Sequence, residues 1–419
     1  MVKNTSRRKI INKSIGYTTV NLFDINIVPA FSTFAYVALV FPSLLYPLWN
    51  NSLAWQIVEI IALLIMSIIV LTNKTNTINN RLILIISLLP IFIHSYSLKI
   101  GEYGFTMLWT ICIILTVSIS CYINSEFILK YIGIFSFIYA FFTVLSNFGL
   151  GPILSPYAQM YAGPITQGTI QTAGLTQHYT HNSLFICLSA IIWFSFCLST
   201  NKLRYYLLTI ISILGLIFTT KRGPLIAISL SLLIALYLCS KGSLSKKIIR
   251  FFPPAVVLLI SFLVVYIIRP SLFSRFENKD NILSNRQYLW SYAWEFFKEN
   301  PLIGKGWGYY SHNFSFSLSG VEVSNLNAHN TYLQLLAETG VLGATIFLSL
   351  FVFGLSKIHS ILTTLVNKGM ELKTEIVFSF AYQVFFLIHA ITENALYDRI
   401  TFLPYILALA FCLNGNNHD

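Results

Sequence analysis

Charge is scarce in this chain. Asp, Glu, Lys and Arg make up only 10% of its 419 residues, too little to coat a water-soluble fold of that length. Disulfide and metal-cage patterns are missing as well. The six cysteines, Cys112, Cys121, Cys187, Cys197, Cys239 and Cys412, all lie inside apolar runs without a CxxC pair, and they read as buried packing residues. The first 24 residues hold Arg7, Arg8, Lys9 and Lys13 but no apolar signal-peptide core, so they are expected to form a cytoplasmic tail. The GKGWG stretch at 304–308 lacks the Ser or Thr that follows a phosphate-loop lysine, which excludes a nucleotide loop and leaves a glycine-rich turn. Acid pairs of the Asp-x-Asp kind are absent too: the turn near Trp49 to Ser52 has no carboxylate, and Glu277 and Asp280 stand apart. Neither a metal nor any other cofactor is expected.

Apolar sequence is what the chain has in abundance. Hydrophobic types supply 56% of it, in runs long enough for helices to cross a ~30 Å hydrocarbon core. Lipid gives backbone groups no partner, so such runs must satisfy their own hydrogen bonds, as helices do. The fold expected is an all-α polytopic membrane protein, one integral membrane domain over 1–419, with about twelve spans. They lie near residues 25–47, 53–72, 82–98, 103–123, 127–146, 183–199, 203–220, 224–240, 251–268, 331–354, 375–393 and 399–414.

Loop charges set the orientation. Threading from an inside N-terminus puts Lys74 and Arg81, Lys202 and Arg204, the cluster Lys241, Lys246, Lys247 and Arg250, and Lys357, Lys368 and Lys373 in the cytoplasm. Both termini then lie inside, and two polar loops, 147–182 and 269–330, lie outside. The net charge of +12 is mostly this topology, and nucleic acid is not an expected partner.

Two outside cations break the pattern. Lys221 and Arg222 fall in the short outer turn before the eighth span, at the positive end of a helix dipole. A bound anion would explain them, since N–H groups and a guanidinium point to one place; snorkelling to lipid phosphates is the plainer alternative. Arg286 opens an amphipathic stretch in which Trp290, Ala293, Trp294 and Phe297 recur at helical spacing, after Ser284 or Asn285 as cap and before Asn300 and Pro301. It either joins the anion site or stands exposed.

His329 and Asn330 stand where the large loop meets the tenth span. A lone histidine there is either a capping residue or, beside Arg222 and Arg286, a base. On a continuous helix, at ~100° per residue, His329, Leu333, Leu336, Gly340, Gly343 and Phe347 would share one stripe, with Glu338 opposite. Gly340 and Gly343 would then admit a neighbouring helix.

The run of His329, Asn330, Gly340 and Gly343 resembles the motif of the bacterial O-antigen ligase and O-antigen polymerase superfamily. So do the Lys221-Arg222-Gly223 turn and Arg286, Trp290, Pro301, Gly304 and Gly306. Residues 1–200 carry little of the motif signal. The resemblance implies a GT-C-like membrane enzyme in the bacterial inner membrane with its site facing the periplasm. It implies inverting, metal-independent transfer of a glycan from undecaprenyl diphosphate to a sugar hydroxyl, in O-antigen or surface polysaccharide assembly. Arg222 and Arg286, helped by Lys221, would clamp the diphosphate. His329 would take the acceptor proton, and Asn330 would orient or cap.

The loop from Asn147 to Asn182 has no charged residue but holds Tyr157, Tyr161 and Tyr179, a candidate glycan-binding lid or an ordinary loop. His178 and His181 could form at most a weak metal pair. A lid able to grip a repeating glycan inclines the reading to the polymerase, whose acceptor is a second lipid-linked repeat unit. The alternative is the ligase, whose acceptor is lipid A core. A chain-length regulator is a further candidate partner. A transporter or flippase is the rival of a different class, kept open by Glu59, Glu338 and Glu393, taken as midplane acids.

Overall fold

The computed structural model describes residues 124–150, 159–161, 171–176, 179–240, 286–318, 321–324 and 326–414, with isolated positions at 61, 256, 259–260, 262–267 and 270. Apart from residue 61, the four spans expected between 25 and 123 lie outside the described residues, as does half of the one at 251–268. So do Cys112, Cys121, Glu59, Tyr157, His178, Glu277, Asp280, Ser284 and Asn285.

The described chain is mostly helical. Its helices are α1 (Ser125–Leu145), α2 (Tyr179–Thr200), α3 (Leu203–Phe218), α4 (Arg222–Cys239), α5 (Arg286–Glu299), α6 (Tyr309–Asn313), α7 (Thr331–Asn367), α8 (Thr374–His389) and α9 (Arg399–Asn414). Two antiparallel hairpins accompany them: β1 (Gln159–Tyr161) with β2 (Gln171–Gly174), and β3 (Ser315–Leu318) with β4 (Val321–Ser324). All the helices except α5 and α6 fall on the expected apolar runs. By length and composition α1 with its extension to Phe148, α2, α4 and α7 can each cross a membrane, while α3, α8 and α9 are apolar but shorter.

Burial sorts these helices into layers. In α2 nearly every residue from Asn182 to Cys197 is buried, and α8 and α9 are buried along most of their length. Around them α1 and α4 keep one side outward: Ile134 and Phe141 on the first, and Ile226, Leu230, Ile234 and Tyr237 on the second. Steps of three, four or seven residues put each set on one stripe. An outward stripe of large apolar residues suits contact with lipid. Short polar links join the helices inside, such as Ser189 Oγ to Ser212 Oγ at 2.9 Å and Ser199 Oγ to Thr374 Oγ1 at 2.6 Å.

Four local expectations are corrected. First, the segment 147–182 is not a loop throughout: Thr172 and Ala173 are buried on β2, and α2 already begins at Tyr179 instead of at 183. Asn182 Nδ2 donates to Thr143 Oγ1 (2.8 Å) and to the Thr172 carbonyl (3.1 Å), and Asn147 Nδ2 donates to Thr172 Oγ1 (3.0 Å). Amide N–H groups here bond to hydroxyl and carbonyl oxygens in the interior, while the buried Asn182 Oδ1 has no partner among the described residues. Second, α5 buries Leu289 and Ala293 against Tyr310, Phe314, Ala328 and Ala337, while Trp294 faces out. Third, α8 ends at His389, four residues before Glu393, so the acid sits in a turn beyond the helix.

The fourth correction concerns the glycines. Gly340 (φ 61°, ψ −170°) breaks α7, and the neighbour it admits is a loop instead of a helix. Residues 301–306 run beside the break: Val341 N and Leu342 N donate to the carbonyls of Pro301 (2.8 Å) and Leu302 (3.2 Å), and Lys305 N and Gly306 N donate to those of Ala337 (3.0 Å) and Glu338 (2.9 Å). Backbone meets backbone here. A Cβ on Gly340 would lie 2.4 Å from Leu302 main-chain atoms, and one on Gly304 2.3 Å from those of Glu338. At Gly343 the close neighbour is Thr339 of the same helix.

Candidate functional site

Four separate segments supply a polar cluster centred on Glu393. The first is the turn between α3 and α4. Thr219 Oγ1 donates to the Leu216 carbonyl, Thr220 takes a left-handed φ of 58°, and Lys221 in extended geometry starts α4. Arg222 is the first helical residue and Pro224 the third, where a missing N–H costs no helical bond. Gly223 abuts the second segment, the turn after α8, so closely that a Cβ would lie 2.9 Å from Thr392 Oγ1.

That turn places Glu393, whose side chain is only 9% exposed. Its Oε1 accepts from Arg286 Nη2 at 2.8 Å and lies 3.6 Å from Lys221 Nζ; its Oε2 is 2.8 Å from His329 Nδ1. Arg286, the first residue of α5, also donates from Nη1 to the Thr392 carbonyl. Burial on its own raises a carboxyl group's pKa, but Lys221, His329 and Arg286 hold Glu393 well below the usual carboxylate range. It is therefore the ionised counter-ion of the group.

His329 is not on the α7 helix, so the stripe drawn through it on a continuous helix does not exist. It precedes the cap and has a φ of 48°, uncommon for a residue with a side chain. Neighbouring bonds hold it there: Ala328 N donates to Gln334 Oε1 (3.0 Å), and Thr331 N donates to the carbonyls of Ala390 (2.9 Å) and Glu393 (3.2 Å). Asn330 is the α7 cap, its Oδ1 accepting from Tyr332 N (3.0 Å) and Leu333 N (3.1 Å). Its side-chain oxygen serves the helix, which accounts for Asn330 without a substrate.

Of the residues singled out by sequence, Lys221, Arg286 and His329 meet on one carboxylate. Arg222 stands between Lys221 and Gly223, both of which touch the turn at 392–393. Tyr179 opens α2 with its ring 4.6 Å from Lys221 Nζ. Tyr161 lies on β1 opposite Gln171, and Tyr157 is outside the described residues. Gly340 and Gly343 shape α7 farther along the helix. His181 faces Asp398, 4.0 Å away. No group of three or more possible metal ligands occurs among the described residues.

Glu393 is the residue that sequence reasoning misplaced. Grouped with Glu59 and Glu338 as a midplane acid, it belongs instead with the cations. Glu338 is buried in α7, accepting from Tyr310 N (3.1 Å) and Gln334 Nε2 (3.2 Å). One signal could have found Glu393: three basic groups gathered in a partly dry site need a counter-ion, and it is an acid at the boundary of the eleventh expected span.

The described chain is mostly helical, with four helices long and apolar enough to cross a membrane, and the cluster of cations and imidazole lies at helix starts. Residues 207–348 match the family model described as O-antigen ligase, and the match supports placing the chain in the O-antigen ligase and polymerase superfamily, whose members are glycosyltransferases acting on lipid-linked glycans in a membrane. The matched segment spans α3 to the middle of α7 and includes Lys221, Arg222, Arg286 and His329; Glu393 lies beyond it. No curated protein matches the chain.

Proposed function

We propose that the protein is an inverting, metal-independent glycosyltransferase that moves a glycan from undecaprenyl diphosphate to a sugar hydroxyl during O-antigen or surface polysaccharide assembly. It would work at the periplasmic face of the inner membrane, in a fold of about twelve spans with both termini inside. One observation carries this reading: Lys221, Arg286 and His329, distant in sequence, converge on Glu393 beside the first turn of α4 that begins at Arg222.

The chemistry follows from that geometry. Lys221 and Arg286 on Glu393, with Arg222 next in the chain, would offer positive charge to a diphosphate. His329 takes the proton from the acceptor hydroxyl as its oxygen bonds to the anomeric carbon. The bond from that carbon to the diphosphate oxygen breaks, and the electron pair leaves on the phosphate, where the cations stabilise it.

Polymerase is the primary reading, because Tyr179 brings the end of the uncharged 147–182 segment to Lys221, where a neutral repeating glycan could be gripped. The description of the matched family model favours the ligase as the second reading. His329→Ala and Arg222→Ala should each abolish the long-glycan ladder in a deletion strain while the protein remains inserted. Near-normal ladders from both would overturn the mechanism. The deletion itself separates the two readings: core carrying one repeat unit marks a polymerase, and bare core with accumulating lipid-linked chains marks a ligase.

A further inference from the structure

We propose that Glu393 is a positioning residue that holds His329 with its Nδ1 proton facing inward, so that Nε2 is presented unprotonated to the acceptor hydroxyl. The inference rests on the glycosyl-transfer reading and deepens it.

The two oxygens of Glu393 are divided between two tasks. Oε1 takes Arg286 at 2.8 Å and Lys221 at 3.6 Å; Oε2 takes His329 Nδ1 at 2.8 Å. An ionised carboxylate only accepts hydrogen bonds, so the ring nitrogen facing it carries the proton. A neutral imidazole has one such proton, and the other nitrogen is then the base. The constrained backbone of His329, with φ 48° and bonds on both sides, fixes the direction in which the ring leaves the chain.

Among the described residues, the charged and titratable groups around Glu393 are Lys221 just before α4, Arg286 on α5, His329 before α7, His389 at the end of α8 and Asp398 just before α9. The cations on Oε1 keep the carboxylate ionised, so it steadies the imidazolium instead of taking the proton itself. In the transfer step the acceptor O–H proton moves to Nε2, the new C–O bond forms, and the anomeric C–O bond to the diphosphate breaks. Nε2 later releases the proton to water.

Glu393→Gln isolates this role. Arg286 and Lys221 are both donors and draw the amide oxygen, which turns the NH2 group toward Nδ1. Nδ1 must then accept, the ring proton moves to Nε2, and the base is lost while a side chain of the same size remains.

The test is 15N spectroscopy of the full chain, histidine-labelled in lipid, with His329→Gln identifying the resonance, beside ladders from a deletion strain carrying each variant. Wild type and Glu393→Asp should show a protonated Nδ1 and a bare Nε2; Glu393→Gln should show the reverse and lose ladder intensity by about 100-fold or more. A protonated Nε2 in the wild type, or a full ladder from Glu393→Gln, overturns the proposal. Should Glu393→Gln fail to insert, the wild-type and Glu393→Asp spectra decide. An active His329→Ala variant would instead defeat the glycosyl-transfer reading, and the spectrum would still report the tautomer.

Discussion

At the scale of single residues, what matters is how many partners each side chain must serve. Arg286 donates to both Glu393 and the Thr392 carbonyl, a pair of directions that a planar guanidinium can cover and an ammonium on a flexible stem covers poorly. Arg286→Lys should therefore lower ladder intensity about 10- to 100-fold, matching the loss of one charge-assisted bond of about 1.5–3 kcal/mol; wild-type ladders would reduce Arg286 to a generic charge. Asn330 answers to a different measurement. Because its oxygen caps α7, Asn330→Ala should cost about 1 kcal/mol of stability. Asn330→Asp or Ser should restore it, read as the thermal unfolding midpoint in micelles. A loss of transfer in Asn330→Ala at unchanged stability would return the residue to the substrate.

Among elements, the junction between the 301–306 loop and α7 is the most constrained. Two glycine motifs far apart in sequence are halves of one contact, in which main-chain groups of the loop answer those around the break at Gly340. Only a residue without Cβ fits, because the position combines a left-handed φ with main-chain atoms at 2.4 Å. Gly340→Ala should destabilise the protein by about 2–4 kcal/mol through strain and overpacking. Gly304→Ala should do likewise, and the double variant should cost less than the sum, since both break the same contact. Unfolding curves of the three variants check this. Additive costs would mean two independent sites. Through α5 and α7 the junction also bears on Arg286, which opens α5, and on His329, which precedes the α7 cap.

For the whole molecule, the Glu393 cluster ties the starts of α4, α5 and α7 to the turn between α8 and α9. Its stability has a sign in pH. Glu393 has a folded pKa held well below the ordinary 4.5, so its contribution is complete above that value and is lost as pH falls through the folded pKa. Asp398, raised by burial against the pull of His181, works in the opposite direction. The comparison of wild type with Glu393→Gln removes that background. The stability gap between the two should narrow as pH drops below 4.5, measured by thermal unfolding at a series of pH values; a constant gap would mean that the carboxylate's charge is not what ties the segments.

Hydropathy and helix caps act within a few turns of chain, and so the apolar runs that became α1 to α4 and α7 to α9, the early start of α7 after Asn330, and the candidates Lys221, Arg222, Arg286 and His329 could be read from sequence. Local pattern could not show that Glu393 leaves its span to become their counter-ion, that Gly340 breaks a helix to receive a loop, or that Asn182 and Thr172 turn inward to each other. Each of these depends on which distant segment arrives opposite, and a buried charge, a missing Cβ or an inward amide acquires its role only from that partner.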